Sequence, residues 1–149
     1  MSAKQLQLKI ITPERLIIDE MVDIVTIPTT DGEMGILKDH IPLVTGLASG
    51  DIVAEVDGEH VPFAVSGGFV EVKRLEDGGT QVAILAEFAE HVSEISDQAI
   101  IEAKLRAEEL KKQSENKEIV DFEHFEAELE RSLNRVRIAD KWRTKKYRK

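Results

Sequence analysis

Four histidines, His40, His60, His91 and His124, are the side chains best suited to acid–base or metal chemistry in this chain. None stands in a His-x-x-x-His or His-Glu-x-x-His spacing, so zinc-assisted hydrolysis has no support. His40 follows Asp39, but adjacent side chains seldom point the same way. A catalytic Asp–His pair is therefore disfavoured, and a surface contact is the better role for His40. The glycine-rich segments lack the Gly-Lys-Ser/Thr ending that a phosphate cradle needs. "VSGGF" is no nucleophile elbow, because no Gly stands two residues before Ser66. The chain has no Cys, which removes disulfides, thiolate ligands and thiol nucleophiles. With 29 acids in 149 residues, acidic pairs close in sequence carry little information.

Charge says more than these candidates do. The formal net charge is −9, but the final nine residues, "KWRTKKYRK", hold six Lys/Arg and no acid. The other 140 residues keep 14 basic against 29 acidic groups, a net of −15. A body this acidic stays soluble and does not seek nucleic acid as a whole. The N-terminus lacks the apolar core of a signal peptide. No run approaches the ~20 apolar residues of a membrane span, so membrane association has to come through a partner. The absence of Cys fits a reducing compartment.

These residues must be positioned by elements of two different periods. From Gln5 to about Phe88 the signals are β. Leu6, Leu8 and Ile10 alternate with polar residues, and Val22, Ile24, Val25 and Ile27 make a short strand before Pro28. "DIVAEVDGEHVPFAV" reads as two strands around an Asp57-Gly58 hairpin turn, and "FVEVKRLEDGGTQVAIL" repeats the arrangement around Glu76 to Gly79. Short strands with regular turns point to a sandwich or barrel. "VSGGFVEV" reads as a tight turn between strands, where Gly67 and Gly68 permit close backbone approach. After His91 the period becomes helical. Ile100, Ala103, Ala107 and Leu110 share one face, with Ser96 as N-cap and Glu102/Arg106 and Glu108/Lys112 as i,i+4 pairs. "KKQSENKE" breaks the pattern. A second stripe follows, Phe122, Phe125, Leu129, Leu133 and Val136, capped by Asp121. The fold class is therefore α+β, a β-sandwich over 1–90 and an antiparallel helical hairpin over 91–149. The first stripe is largely Ala, and burial stabilises by only ~25 cal/mol/Å² of apolar area. The pair should pack weakly, able to open and re-bind elsewhere; a static appendage is the other reading.

One stretch joins the two readings. "DGEMGILKDHIPLVTGLASGDI", followed in order by "SGGFVEV", "VAILAEFAE" and "EAKLRAEE", resembles the epsilon subunit of F-type ATP synthases over roughly Leu6 to Asp140. Each motif alone is weak, and the ordered set is specific. The resemblance implies a ten-stranded sandwich, a two-helix domain and no catalysis by this chain. It implies a subunit that couples proton-driven rotation of the membrane c-ring to the gamma subunit. Glu33 and His40 then fall on ring-facing positions, with Met34, Gly35 and Ile36 beside them. Thr12 falls on a gamma-facing position, with the segment to about Ile17 nearby. The chain would sit peripherally on the cytoplasmic face of a bacterial membrane, through the complex.

The resemblance also makes the helix pair regulatory. Extended along gamma, it would meet the alpha and beta subunits of the catalytic head and block hydrolysis. Arg131, Arg135, Arg137, Lys141 and Arg143 are the basic residues for that contact. The tail beyond them is either a further contact or a solvated terminus. Some relatives bind ATP between the folded helices. Glu90, Ile95, Arg131 and Arg135 match their pattern, but Ser96, Ala99 and Ile100 replace an Asp, an Arg and an Ala. Losing that guanidinium removes a bidentate anion partner, so ATP binding should be weak or absent. Two other classes stay open: a free-standing adaptor whose tail binds an acidic protein or nucleic acid, and a hydrolase using His40.

Overall fold

The computed structural model describes residues 5–115 and 122–149. Eight strands come first: β1 (Leu6–Ile11), β2 (Leu16–Val22), β3 (Ile24–Thr29), β4 (Gly32–Ile36), β5 (Leu43–Gly46), β6 (Gly50–Val56), β7 (Glu59–Arg74) and β8 (Thr80–His91). A 3-10 turn at Val92–Glu94 leads into α1 (Asp97–Glu115), and α2 (Phe122–Arg143) follows. The strands bond in the order β2-β1-β8-β7-β6-β3-β4, with β5 added to β7. β1 runs parallel to β8, and the other neighbours are antiparallel.

The alternation of β1 sends Leu6, Leu8 and Ile10 into one core with Val25, Ile27, Ile52, Phe63, Val70, Val72, Val82 and Ile84. Residues from all parts of the sheet meet there, so it folds over on itself as a sandwich. The bend lies in β7. Between Ser66 opposite Phe88 and Gly68 opposite Ala86, Gly67 has no partner. Gly67 and Gly68 have φ of 64° and 126°, and a Cβ on Gly68 would stand 2.0 Å from the Leu85 carbonyl oxygen. The pair thus kinks one 16-residue strand without shifting its register, and is not the turn expected between two. This fusion is one reason the strands number eight and not ten. Both expected hairpin turns are present. Asp57 and Gly58 take φ of 51° and 80°, the geometry of a tight two-residue connection, and Gly78 takes φ 88° in the other. Pro28 does not end β3 but lies within it, opposite Glu33.

Ser96 caps α1 as the sequence indicates, its Oγ accepting from Ala99 N–H at 3.0 Å. Ile100, Ala103, Ala107 and Leu110 are buried. α1 continues to Glu115, into the segment read as a break; Asp121, read as a cap, lies outside the described residues. Arg106 does not take Glu102 as its partner. It bonds Glu128 of α2 at 2.6 and 3.1 Å and Glu109 at 3.2 Å, and Glu102 accepts from Gln98. On α2 the apolar stripe is only partly buried. Phe125 is, but Leu133 is 42% exposed, while Ser132 and Asn134 are buried. The reason is that α2 meets backbone on its sandwich side.

Candidate interaction surfaces

The first surface is an end of the sandwich built by the glycine-punctuated segment. Thr29 closes its turn, donating from Oγ1 to the Gly32 carbonyl at 2.5 Å and accepting from Asp31 N–H. β4 then carries Glu33 and Gly35 exposed and Met34 half-buried. Ile36 is 0% exposed and belongs to the core, so it anchors this end and does not line its surface. Beyond it the chain turns through Asp39 at φ 68°, whose N–H donates to Thr80 Oγ1 at 2.8 Å. His40 is half-buried, its Nδ1 2.8 Å from the Ile41 carbonyl and its N–H bonded to the Leu37 carbonyl. Asp39 is thus held by its N–H to β8, and His40 by backbone carbonyls of the turn. Leu37 and Ile41 stand out from it, Ile41 72% exposed. Residue type alone does not single these two out, because an aliphatic run in a loop reads equally as core.

The second surface is the outer face of the sheet. Strand register places Gly46, Phe69, Leu85, Ile11 and Leu16 side by side across β5, β7, β8, β1 and β2. Leu16, Val44, Phe69 and Leu85 are 54 to 67% exposed. An apolar row this wide is unusual on a solvated sheet face. Thr12 lies at its end, where it closes a turn with Arg15. Ile17 turns the other way. The register shifts by one between Ile10 and Ile11, so Ile17 packs on the core and Leu16 takes the outer position. Arg15 reaches Glu94 at 2.6 Å, and that carboxylate raises the guanidinium pKa further.

The third surface is the seam where α2 lies on the sandwich. Asn134 donates its amide protons to the carbonyls of Gly50 and Val65, at 3.2 and 3.0 Å. Arg137 steadies the amide by donating to its Oδ1 at 2.6 Å. Arg135 forks onto Glu90 at 2.6 and 3.3 Å, and Arg135 and Arg131 both lie over the Phe88 ring. Arg131 Nε is buried with no partner among the described residues. Lys141 and the Trp142 indole both donate to Asp51 Oδ2, at 2.8 and 2.9 Å. Arg143 pairs with Asp140. All five basic residues singled out in the sequence therefore face this chain's own groups. Of the residues matched to a nucleotide site, Glu90, Arg131 and Arg135 converge around Phe88. Ile95 lies in a second apolar cluster with Ala64, Val92, Ile100, Ile138, Ala139 and Trp142. Nothing in the periodicity announced Asn134, whose partners are backbone atoms.

Among the described residues no helix is long and apolar enough to cross a membrane. Residues 5–92 match the family described as ATP synthase, Delta/Epsilon chain, beta-sandwich domain. The chain is 38% identical over 138 residues to the ATP synthase epsilon chain of Desulforamulus reducens, covering 93% of this chain and 99% of that one. It is 37% identical over 134 residues to that of Herpetosiphon aurantiacus, covering 90% and 93%. Among solved structures, a chain of the Euglena gracilis mitochondrial ATP synthase, OSCP/F1/c-ring in rotational state 1, superposes with TM-score 0.69 at 30% identity, covering 87% of this chain and 78% of that one. A sandwich with an apolar outer row, a helix pair seated on it, and these matches over nearly the whole length lead to one conclusion: the chain belongs to the epsilon chain family of ATP synthase, a non-catalytic stalk subunit.

Proposed function

We propose that the sandwich is a mechanical clamp between gamma and the c-ring, and that the helix pair restrains ATP hydrolysis. The apolar row from Gly46 to Leu16 carries this reading. A sheet whose inner face is already a filled core has no use for a second apolar face except against another protein. Gamma occupies that row, with Thr12 and Leu16 at its margin. The c-ring meets the end formed by Glu33, Met34, Gly35 and His40, to which Leu37 and Ile41 add apolar contact. The similarity to a c-ring-containing ATP synthase assembly supports both partners. In the folded state the basic side chains of α2 are held by Glu90, Asp51 and Asp140. In the extended state they exchange these for acidic groups of the alpha and beta subunits. The chain then works peripherally, at the cytoplasmic face of a bacterial membrane.

ATP does not occupy the seam in this reading. Ser96 is spent on capping α1, and Arg135 closes on Glu90. Calorimetry that found tight ATP binding by the isolated chain would contradict this.

The test uses an ATP synthase stripped of its epsilon chain and rebuilt with this one. Leu85→Asp should weaken assembly by about a hundredfold, as expected for a charge placed in the centre of an interface. Unchanged assembly would exclude the row as the gamma contact. A chain ending at Glu90 should still couple rotation, while hydrolysis rises several-fold. Unchanged hydrolysis would remove the brake and leave the clamp.

A further inference from the structure

The basic tail is not a solvated end. α2 stops at Arg143, the chain bends at Thr144 and Lys145, and Tyr147 and Arg148 come back onto the sandwich. They find there a backbone edge that the sheet leaves open. β8 ends at His91, opposite Phe63, while β7 begins four residues earlier at Glu59. The first residues of β7 therefore have β6 on one side and no strand on the other. Arg148 N–H donates to the His60 carbonyl at 2.8 Å on that side. Its guanidinium reaches Glu20 of β2 at 2.5 Å. Beside these anchors Tyr147 packs edge-on against Trp142 at 5.9 Å and tilted against His91 at 6.0 Å. Trp142 is itself buried and pinned to Asp51 of β6, whose side chain is only 12% exposed.

We infer that residues 144–149 are a strap that fastens the helix pair to the sandwich. An unpaired strand edge accepts a further extended segment, and its free carbonyls accept a backbone N–H. The strap supplies both, and it covers Trp142 with an aromatic ring. α2 cannot lift by its C-terminal end until Arg148 leaves β7 and β2 and Tyr147 leaves Trp142. Each of these contacts is lost in the extended state, so the strap sets the resting equilibrium of the pair toward the folded position. Its Arg148–Glu20 anchor is an ion pair in which both side chains keep solvent contact, 35% and 44% exposed. Screening weakens it, so the equilibrium moves toward release as salt rises. The consequence for hydrolysis rests on the reading of the pair as a brake; the strap itself does not.

Hydrogen exchange on the isolated full chain decides it. Removing 144–149 should speed exchange of α1 and α2 amides by about tenfold and leave β1 and β8 unchanged. Unchanged helix exchange would overturn the strap. If truncation instead loosens the whole chain, the Tyr147→Ala, Arg148→Ala double variant replaces it. Faster exchange confined to the helices supports the strap, and uniform or unaltered exchange refutes it. The hydrolysis assay with the chain ending at Glu90 remains separate, so a helix pair that is strapped but is no brake would be recognised as such.

Discussion

The sandwich interior and the seam beneath α2 are built from different interactions. Inside the sandwich, Leu6, Leu8, Ile10, Ile27, Ile52 and Ile84 are fully buried and meet other aliphatic side chains. Such contacts are non-directional and insensitive to salt or to a partner's charge. At the seam, Asn134, Arg135, Lys141 and Trp142 each make a named hydrogen bond to a particular atom. Directional polar contacts contribute little net stability, yet leaving one unmade is costly. A region fastened this way docks in one position and is released as a unit when other polar groups satisfy it. The difference suits a stiff body carrying a detachable part.

The comparison breaks most visibly at Gly68. Alanine there would meet the Leu85 carbonyl oxygen at 2.0 Å while holding φ 126°. Gly68→Ala should destabilise the sandwich by about 3 kcal/mol or more, seen as a lowered denaturation midpoint of the whole chain. A midpoint within error of the parent would mean that the kink relaxes freely and the sandwich is not stiff. Asn134→Leu probes the other region. It strips two backbone carbonyls of their donor and should cost about 1–3 kcal/mol. Exchange should quicken in the helices and not in β1 or β8. Equal acceleration everywhere would show seam and sandwich to be one cooperative unit.

The two regions also differ in how far their sequences disclose them. Strand alternation in β1 and the Ile100–Leu110 stripe were legible because each buries apolar side chains at a fixed period. Gly67-Gly68 is ambiguous, since positive φ serves a turn and a kink within a strand equally, and the strand count follows that ambiguity. Leu133 reads as core by its spacing but is exposed, because the sandwich side of α2 runs through Asn134, bonded to main chain, to Ile138 and Trp142. Composition cannot show a backbone acceptor. The strap hid for the same reason: it is held by a main-chain N–H and one tyrosine ring within a run of lysines. Among the contact residues, resemblance of position puts Ile17 and Ile36 at a surface, but Ile36 belongs to the core and a register shift in β1 turns Ile17 partly onto it.

A gentler probe of the seam is pH. Burial pushes the His91 pKa below its usual 6.5, with Arg148 charge adding to that and Glu94 and the Arg148 backbone opposing it. The neutral ring is the one that fits: Nδ1 accepts from Ser93 N–H at 3.0 Å and lies 2.7 Å from Ser93 Oγ, while Phe63 and Tyr147 flank it. The unfolded chain binds this proton more readily than the folded one. The stabilisation is thus present above pH 6.5 and is lost as pH falls through the lowered folded value. Between pH 7.5 and 5.5 the parent should lose more thermal stability than His91→Gln. Parallel profiles would free His91 of any part in holding the tail.

The smallest effect belongs to the contact between the two helices. Glu128 is held below its usual range chiefly by its hydrogen bonds to Arg106, whose own pKa is raised by Glu128 and Glu109. Both side chains remain substantially exposed, 41% for Arg106 and 32% for Glu128. Solvent-exposed pairs are screened and contribute little. Arg106→Ala should move the thermal midpoint by about 1 °C or less, and the difference should vanish in high salt. Helix exchange in this variant should stay near the parent's, because Ile100, Ala103, Ala107 and Leu110 still join α1 to α2. If Arg106→Ala instead opened the helices as far as Asn134→Leu, the hairpin would be coming apart internally, and α2 would no longer qualify as one half of a part that detaches whole.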